Sequence, residues 1–281
     1  MKSFIIKHKM GLLLSLILLF VVLLAMLINS YNAQITGTTG ESLQMLANEK
    51  AEQINVFLDS KKDELTMLSS MNVFKNVILQ PDNSSMLDIA RARINELKFI
   101  VPGISVLTNE GIVLVGDIDL PGTDYRQHPY FLGKKQDVEF TRYYDPLRKE
   151  DYYAIIGPVY SDPQRTNIIG RIAFDVDLKN INNIMAENQV PGTEEVYLID
   201  NTGLLLSASK FVGQDNQKGV LIQNVNSEGA KECLADLGKY DQSGYIAEQV
   251  FRYLNYMGNE VYGAHAYVPA IMGCVIAESA G

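Results

Sequence analysis

Apolar residues fill one stretch near the start of the chain without interruption. Met10–Ile28 carries no charged residue over nineteen positions, and three lysines precede it. A helix of this length covers roughly 28 Å, close to the hydrocarbon thickness of a bilayer. The pattern predicts an uncleaved transmembrane helix at 10–30, because the apolar region of a signal peptide is usually only about 7–15 residues long. The lysines predict that residues 1–9 are cytoplasmic and that the rest of the chain is exported.

A pattern with helical spacing follows. Between Glu41 and Gln80 the sequence has no Gly or Pro, and apolar residues from Leu43 to Leu68 recur mostly every three, four or seven positions. This is the stripe of an amphipathic helix, and it predicts a long exported stalk helix over 31–80. The stripe can pack on sheets of its own chain, or it can pair with a second copy in a homodimer.

After Pro102 the pattern changes to short runs that are typical of β-strands. The expected elements are a helix at 86–98, strands at 104–108, 112–115, 152–159 and 168–176, and a helix at 178–187. The two strands at 104–108 and 112–115 flank Asn109-Glu110-Gly111, which indicates a hairpin.

The first hairpin recurs 92 residues later. Val106–Leu114 and Leu198–Leu206 both have the order strand, polar turn, glycine, strand. The second half is expected to continue with a helix at 230–237 and strands at 244–251, 260–268 and 274–278. This echo fits two similar modules in series.

The charge balance narrows the classes of partner that the chain can bind. The chain has 33 acidic and 24 basic residues, a net charge of −9, and about −12 without the three N-terminal lysines. This balance argues against nucleic acid or an anionic membrane surface as a partner.

The chain has two cysteines. Cys233 and Cys274 are too few for a disulfide scaffold, and they are either one pair in an oxidising exterior or two small buried residues.

The sequence carries no motif for catalysis, nucleotide binding or metal binding. It lacks a phosphate loop, a Gly-x-Gly-x-x-Gly turn, a His-x-x-x-His pair and a Cys-x-x-Cys pair. We therefore expect no enzyme activity, no cofactor and no metal site. An anchored extracytoplasmic hydrolase is the weaker alternative.

One region is rich in groups that suit a small polar ligand. Asp124–Phe131 contains two tyrosines, a histidine, an arginine and an aspartate, and Tyr143, Asp145 and Tyr152 follow. Aromatic walls with a few charged groups are typical of small-molecule sites. The alternative is a surface loop whose tyrosines pack on the strands.

The order of these features resembles the double Cache sensor domains of bacterial transmembrane receptors. The segments that carry the likeness are Asp124-x-Arg126-x-His128-Pro129-Tyr130-Phe131, Tyr143-x-Asp145, Pro158-Val159, Gly170–Asp177, Val196–Gly203 and Tyr256–Ala264. The resemblance implies an α+β fold with a transmembrane helix, a long exported helix and two PAS-like antiparallel-sheet modules. The membrane-distal module would cover 81–190 and the membrane-proximal module 191–281.

The same resemblance implies a ligand site in the membrane-distal module. Its residues would be His128, Tyr130, Tyr143, Asp145 and Asp175. In family members that bind amino acids, a cation at the His128 position holds the ligand carboxylate, and the Asp175 position holds the ammonium. An aspartate that caps the helix at 178–187 is the alternative for Asp175.

This chain has His128 where the family usually has arginine, so the ligand can be an amino acid, an amine or an organic acid. Family receptors continue into a second membrane helix and a cytoplasmic output module. We expect this chain to be the sensory part of a chemotaxis receptor. The alternative is the sensor part of a histidine kinase or of a cyclic-dinucleotide enzyme.

Overall fold

The computed structural model describes residues 2–117, 119–133, 137–145, 150–187, 194–209, 219–235 and 251–280. For residues 2–19, 25, 28–38, 145, 150 and 194 it describes the backbone alone. Among the described side chains, no helical stretch is both long and apolar enough to cross a membrane, and residues 10–19 of the predicted span lie outside that set.

The chain begins with one helix, α1, at Lys2–Ser70. The stalk helix that the sequence predicts over 31–80 therefore ends at Ser70 and does not continue to residue 80. Met71 has extended backbone angles (φ −68°, ψ 125°) and starts a separate helix, α2, at Asn72–Leu79. No Gly or Pro causes this break. The chain turns because Phe74 and Val77 of α2 are fully buried in the core shared with the sheet.

The first module consists of α2 and the elements up to residue 186. They are α3 Ser84–Leu97, β1 Ser105–Thr108, β2 Val113–Gly116, α4 Pro129–Leu132, β3 Glu139–Asp145, β4 Glu150–Tyr160, β5 Ile168–Asp175 and α5 Leu178–Ala186. The strands form an antiparallel sheet in the order β2-β1-β5-β4-β3. The expected hairpin, strands and helices are confirmed, and β3 is an additional strand that the sequence pattern did not indicate.

The second module repeats this order. Its elements are β6 Glu194–Ile199, α6 Glu228–Ala235, β7 Phe251–Leu254, β8 Glu260–Val268, a 3₁₀ turn at Pro269–Ile271 and β9 Gly273–Ala280. The antiparallel sheet β6-β9-β8-β7 corresponds to β1-β5-β4-β3 of the first module. The expected strand at 244–251 lies outside the described residues except for Phe251.

Helix α1 packs along both sheets and joins the modules into one core. It contacts β8 and β9 of the second sheet and β4 and β5 of the first, with Gln44 bonded to the His265 carbonyl of β8 and Leu65 packed on Gly157 of β4. The buried stripe comprises Leu43, Ala47, Ala51, Ile54, Leu58, Leu65 and Leu68. At Gly157 of β4, an added Cβ would lie only 2.6 Å from a Leu65 methyl group. The apolar stripe therefore packs on the sheets of its own chain, and these residues are not available to pair with a second copy.

The two cysteines form a disulfide. Cys233 of α6 and Cys274 of β9 are bonded, and both are fully buried. They lie in a second hydrophobic cluster with Tyr197, Leu205 and Ile276. The bond ties α6 to the face of the second sheet that does not contact α1.

Candidate functional site

A cavity lies on the face of the first sheet that points away from α1. The sheet forms its floor, and the segment from Asp119 to Phe131 forms its wall. About 440 Å³ inside it, including the open mouth, is free of protein atoms. The lining residues are Gly103, Ser105, Leu107, Asp119, Tyr125, His128, Phe131, Thr141, Tyr143, Ala154, Ile156, Ala173, Phe174 and Asp175.

Small side chains on neighbouring strands create the space above the floor. Strand register places Ser105 opposite Ala173, and Ala173 opposite Ile156. In the next row, Asp175 lies opposite Ala154. Because side chains at alternate positions share a face of a sheet, these residues all point toward the cavity. Alanine and serine at the centre leave room that larger side chains would occupy.

Asp175 lies at the end of β5 and is 9% exposed. Its carboxylate packs on Gly103, where an added Cβ would lie 2.3 Å from the Asp175 Cγ. The Tyr143 hydroxyl donates to Oδ1 of Asp175 at 2.7 Å. The cap of α5 is Asp177, whose Oδ1 accepts from the Lys179 N–H at 2.8 Å. Asp175 therefore belongs to the cavity and does not cap the helix.

Asp119 is a second carboxylate in the cavity, and sequence reasoning missed it. Like Asp175, it is 9% exposed. It accepts hydrogen bonds from Ser105 Oγ at 2.5 Å and from the Tyr125 hydroxyl at 2.8 Å. The Tyr125 ring stands perpendicular to the Tyr143 ring, with centroids 6.2 Å apart. The available signal was an acidic residue three positions after β2, in the loop that also carries Tyr125 and His128, because loops held by a rigid scaffold often carry binding residues.

His128 lines the cavity, but both of its ring nitrogens have local partners. Nδ1 accepts from the Tyr130 N–H at 3.3 Å and caps α4. Nε2 lies 3.1 Å from the Arg142 carbonyl oxygen. Because Nδ1 acts as an acceptor, we assign the proton to Nε2, which donates to that carbonyl. In this arrangement the imidazole is neutral.

Tyr130 lies outside the cavity lining. It is 1% exposed, its hydroxyl donates to the Asp137 carbonyl at 3.0 Å, and its ring lies 5.8 Å from the Arg171 guanidinium carbon. Burial raises the pKa of Tyr130. Its neighbour Phe131 faces the cavity instead. Asp145 ends β3 opposite Glu150, and its side chain lies outside the described residues.

The remaining charged pair of this segment is in solvent. Arg126 binds Asp124 through two of its nitrogens, with the closest contact at 2.6 Å. This hydrogen bond lowers the pKa of Asp124 to about 2. Neither residue lines the cavity. Within the segment Asp124–Phe131, which carries the family resemblance, His128 therefore lines the cavity, whereas Asp124 and Arg126 lie outside it.

The charged residues in the described cavity lining are acidic. The lining contains two carboxylates and two tyrosine hydroxyls, and the described lining residues include neither lysine nor arginine. Carboxylates in such a site attract ammonium groups, and aromatic faces add a cation–π contribution. Among the described side chains, no group of three His, Cys, Asp or Glu residues could hold a metal ion.

Several solved structures share this fold. One is the sensor domain of the V. cholerae histidine kinase DctB, with 14% identity over 87% of this chain and 98% of that one, and a TM-score of 0.64. Another is the ligand-binding domain of the Campylobacter jejuni chemoreceptor Tlp3 with L-norvaline, with 18% identity over 88% and 92% and a TM-score of 0.56. A third is that of the Pseudomonas aeruginosa PAO1 amino acid chemoreceptor PctC with GABA, with 16% identity over 86% and 99% and a TM-score of 0.55.

At these identities, the likeness to solved structures establishes the fold alone. No curated protein sequence matches the chain. A family model described as a Cache domain, dCache_1, matches residues 28–279. That match covers both modules and the part of α1 that packs on them, so the chain belongs to the double Cache family of sensor domains.

Proposed function

We propose that this chain is the sensory part of a membrane receptor and that its first module binds a small amine without converting it chemically. The observation that carries the proposal is the pair of nearly buried carboxylates, Asp119 and Asp175, in one aromatic-walled cavity. A carboxylate removed from water is costly unless a positive group approaches it. An ammonium group supplies that charge and up to three hydrogen-bond donors.

An amine suits the cavity better than an amino acid or an organic acid. A ligand carboxylate would meet Asp119 and Asp175 without a lysine or arginine among the described lining residues. The histidine at the family's cationic position is neutral in its present hydrogen-bond arrangement, because Nδ1 accepts a backbone N–H. Like charges in a poorly solvated site repel strongly. Two carboxylates also allow a diamine, with one ammonium at each.

Thermal melting of the full chain with a panel of compounds tests the proposal. We expect amines and diamines to raise the melting temperature, since a ligand at 100 times its Kd adds about 2.7 kcal/mol to stability. Asp175→Asn should weaken that binding by about 10- to 100-fold, because a charge-assisted hydrogen bond is lost. Asp124→Asn, which removes an exposed acid of the same module, is the matched control and should bind normally.

Other outcomes of the same experiment are informative. Stabilisation by carboxylic acids that survives Asp175→Asn would overturn the amine assignment. Chemical conversion of a stabilising compound would favour the hydrolase alternative. In cells, removal of this receptor should abolish swimming responses to the stabilising amine. A change in gene expression with normal swimming would assign the output to a histidine kinase instead.

We infer that a signal passes from the cavity to α1 through α5. Helix α5 begins three residues after Asp175, and its carbonyl at Ile184 accepts a hydrogen bond of 2.7 Å from the Lys50 ammonium. Lys50 lies on α1 and is fully buried. Ligand that moves Asp175 can therefore shift α5 against α1. A signal requires two states with different ligand affinity, and this contact is where we expect them to differ.

The proposal includes an anchor at 10–30 and a homodimer along α1. The buried stripe of α1 is already used, so a second copy would meet the exposed face, where Met45, Val56 and Met67 recur every eleven residues. Eleven residues make about three turns, so the three positions lie on one side of the helix with a drift of about 20° per repeat. Single cysteines at these three positions should crosslink copies in membranes, whereas a cysteine at exposed Asp88 should not. Absence of crosslinks at all three would favour a monomer.

A further inference from the structure

The two acids of the cavity are nearly buried although both line it. Asp119 and Asp175 are each 9% exposed. The wall beside them is the segment from Asp119 to Phe131. A molecule that is to contact both carboxylates therefore needs part of this wall to move. Which part can move depends on where the wall is attached to the rest of the module.

The first part of the wall is bonded to β2 and to the turn that precedes it. The Val113 N–H donates to the Thr123 carbonyl at 3.0 Å, and the Tyr125 N–H donates to the Gly111 carbonyl at 2.9 Å. These are backbone bonds, so they hold the wall on this side whatever its side chains do.

The last part of the wall, helix α4, is held by aromatic side chains. Tyr130 is 1% exposed, and its hydroxyl donates to the Asp137 carbonyl at 3.0 Å. Phe131 packs on Gly111, where an added Cβ would lie 2.9 Å from the ring. Both ends of the wall are thus attached to the module by contacts that do not involve His128.

Four residues, Arg126–Pro129, connect these two attached parts, and we call them the link. Three of them are exposed, and His128 is half-buried. The backbone hydrogen bonds of the link reach only residues 124–133. Among the described residues, the contact of 3.1 Å between His128 Nε2 and the Arg142 carbonyl is the one hydrogen bond that joins the link to the sheet.

The acceptor of this bond lies on the edge of the sheet. Arg142 belongs to β3, which is the last strand and pairs with β4. The outer backbone groups of an edge strand have no ladder partner, so the Arg142 carbonyl can accept from a side chain. Thr141 Oγ1 lies 3.5 Å from the same oxygen, which is a weaker contact. The Arg142 guanidinium donates to Asp151 of β4 at 3.0 and 2.8 Å, which keeps the acceptor in place.

The bond lies beside the part of β3 that lines the cavity. Arg142 stands between Thr141 and Tyr143, and both of these are lining residues. The Tyr143 hydroxyl donates to Asp175 at 2.7 Å. An opening between the link and β3 would therefore lead to Tyr143 and to the acid that it contacts.

We propose that His128 is a positioning residue that closes the cavity: its ring holds the link on β3, and the hydrogen bond to Arg142 must break before a small molecule reaches the two acids. The ring then turns outward with the exposed link, while Tyr130 keeps α4 in place. Closure by His128 does not depend on what the cavity binds, and only the use of this entrance by an amine rests on the proposed function.

Two variants separate the roles of the two ring nitrogens. His128→Asn keeps an acceptor for the Tyr130 N–H, because asparagine is a good N-cap, but its amide is too short to reach Arg142. His128→Gln places an amide N–H near the position of Nε2, where it can donate to the Arg142 carbonyl, but glutamine is a poor cap. If the bond to Arg142 closes the cavity, the asparagine variant should open it and the glutamine variant should keep it closed.

Opening is measured by labelling a cysteine on the cavity floor. Ala173→Cys is introduced into each form of the full chain, and its reaction with a small neutral methanethiosulfonate is followed in mild detergent. The native cysteines do not compete, because they are bonded to each other. We expect His128→Asn to react about 3- to 10-fold faster than wild type, as loss of one hydrogen bond predicts, and His128→Gln to stay within about twofold of wild type.

Controls show whether the module stays folded. Amide exchange at Val113, which bonds to the wall on the β2 side, should be the same in every form. Asp124→Asn weakens the exposed pair with Arg126 beside the link, and it should react like wild type. Ala154→Cys, in the next row of the floor, replaces Ala173→Cys if that variant does not fold. His128→Ser, which also keeps a cap, replaces His128→Asn in the same event.

Three results would overturn the proposal. Equal rates in wild type, His128→Asn and His128→Gln would mean that the ring does not close the cavity. Faster labelling of the glutamine variant alone would assign closure to the cap on α4. Faster labelling of both variants would assign it to the bulk of the ring. Because the reagent is neutral, none of these results bears on amine binding, and absence of amine stabilisation together with the expected rates would contradict the proposed function alone.

Discussion

Gly103→Ala is expected to destabilise the first module by about 2–5 kcal/mol and to abolish amine binding. Gly103 has φ +71°, a left-handed conformation that costs an L-residue about 1–2 kcal/mol. The new methyl would lie 2.3 Å from the Asp175 Cγ, and overpacking of this kind costs about 1–3 kcal/mol. Asp175 can relieve the clash by moving away, which takes the carboxylate out of position for the ligand. Chemical denaturation and amine titration of the same protein measure both effects.

Gly122→Ala is the matched control. Gly122 also has a left-handed backbone, with φ +88°, but no atom lies within 4 Å of the position its Cβ would take. We expect this variant to lose about 1–2 kcal/mol and to bind amine normally. Equal losses of stability in the two variants, with binding intact in both, would show that Asp175 adapts to Gly103→Ala and that the close packing does not fix its position.

Local patterns predicted most of the fold but not β3. The sequence pattern predicts no strand at 139–145, because these residues mix charged, polar and aromatic side chains without an apolar face. The structure pairs all seven with β4. An edge strand can carry this composition, since Thr141 and Tyr143 face the cavity and Phe140 stacks on Tyr153. Only the partner strand makes the segment regular, and partners are not visible in a local pattern.

The similarity between the two hairpin sequences, Val106–Leu114 and Leu198–Leu206, indicated two related modules, although the second hairpin is incomplete. The turns repeat, with the Gly111 N–H donating to Thr108 and the Gly203 N–H donating to Asp200. The second arm differs, because Leu204 and Leu205 each form one isolated bridge where β2 forms a regular strand. Sequence similarity thus indicated a shared topology. It could not show that small side chains on the first sheet leave a cavity open.

The structure brings only some of the predicted site residues together. His128, Tyr143 and Asp175 line one cavity, whereas Tyr130 lies outside its lining. Adjacent residues on a short helix point in different directions, so the choice between Tyr130 and Phe131 depends on how α4 is oriented. Asp119 was missed because its partners, Ser105 and Tyr125, are distant in sequence. Contacts of this kind are set by strand register and not by spacing along the chain.

Loss of the disulfide is expected to destabilise the second module by about 4 kcal/mol. The bond joins Cys233 and Cys274, which are 41 residues apart, and closing a loop of that length removes about this much entropy from the unfolded chain. In a chain of this size, the melting temperature should fall by roughly 10 °C. Melting of the full chain with and without a reductant measures the effect. Cys233→Ala with Cys274→Ala should reproduce the loss and no longer respond to reductant.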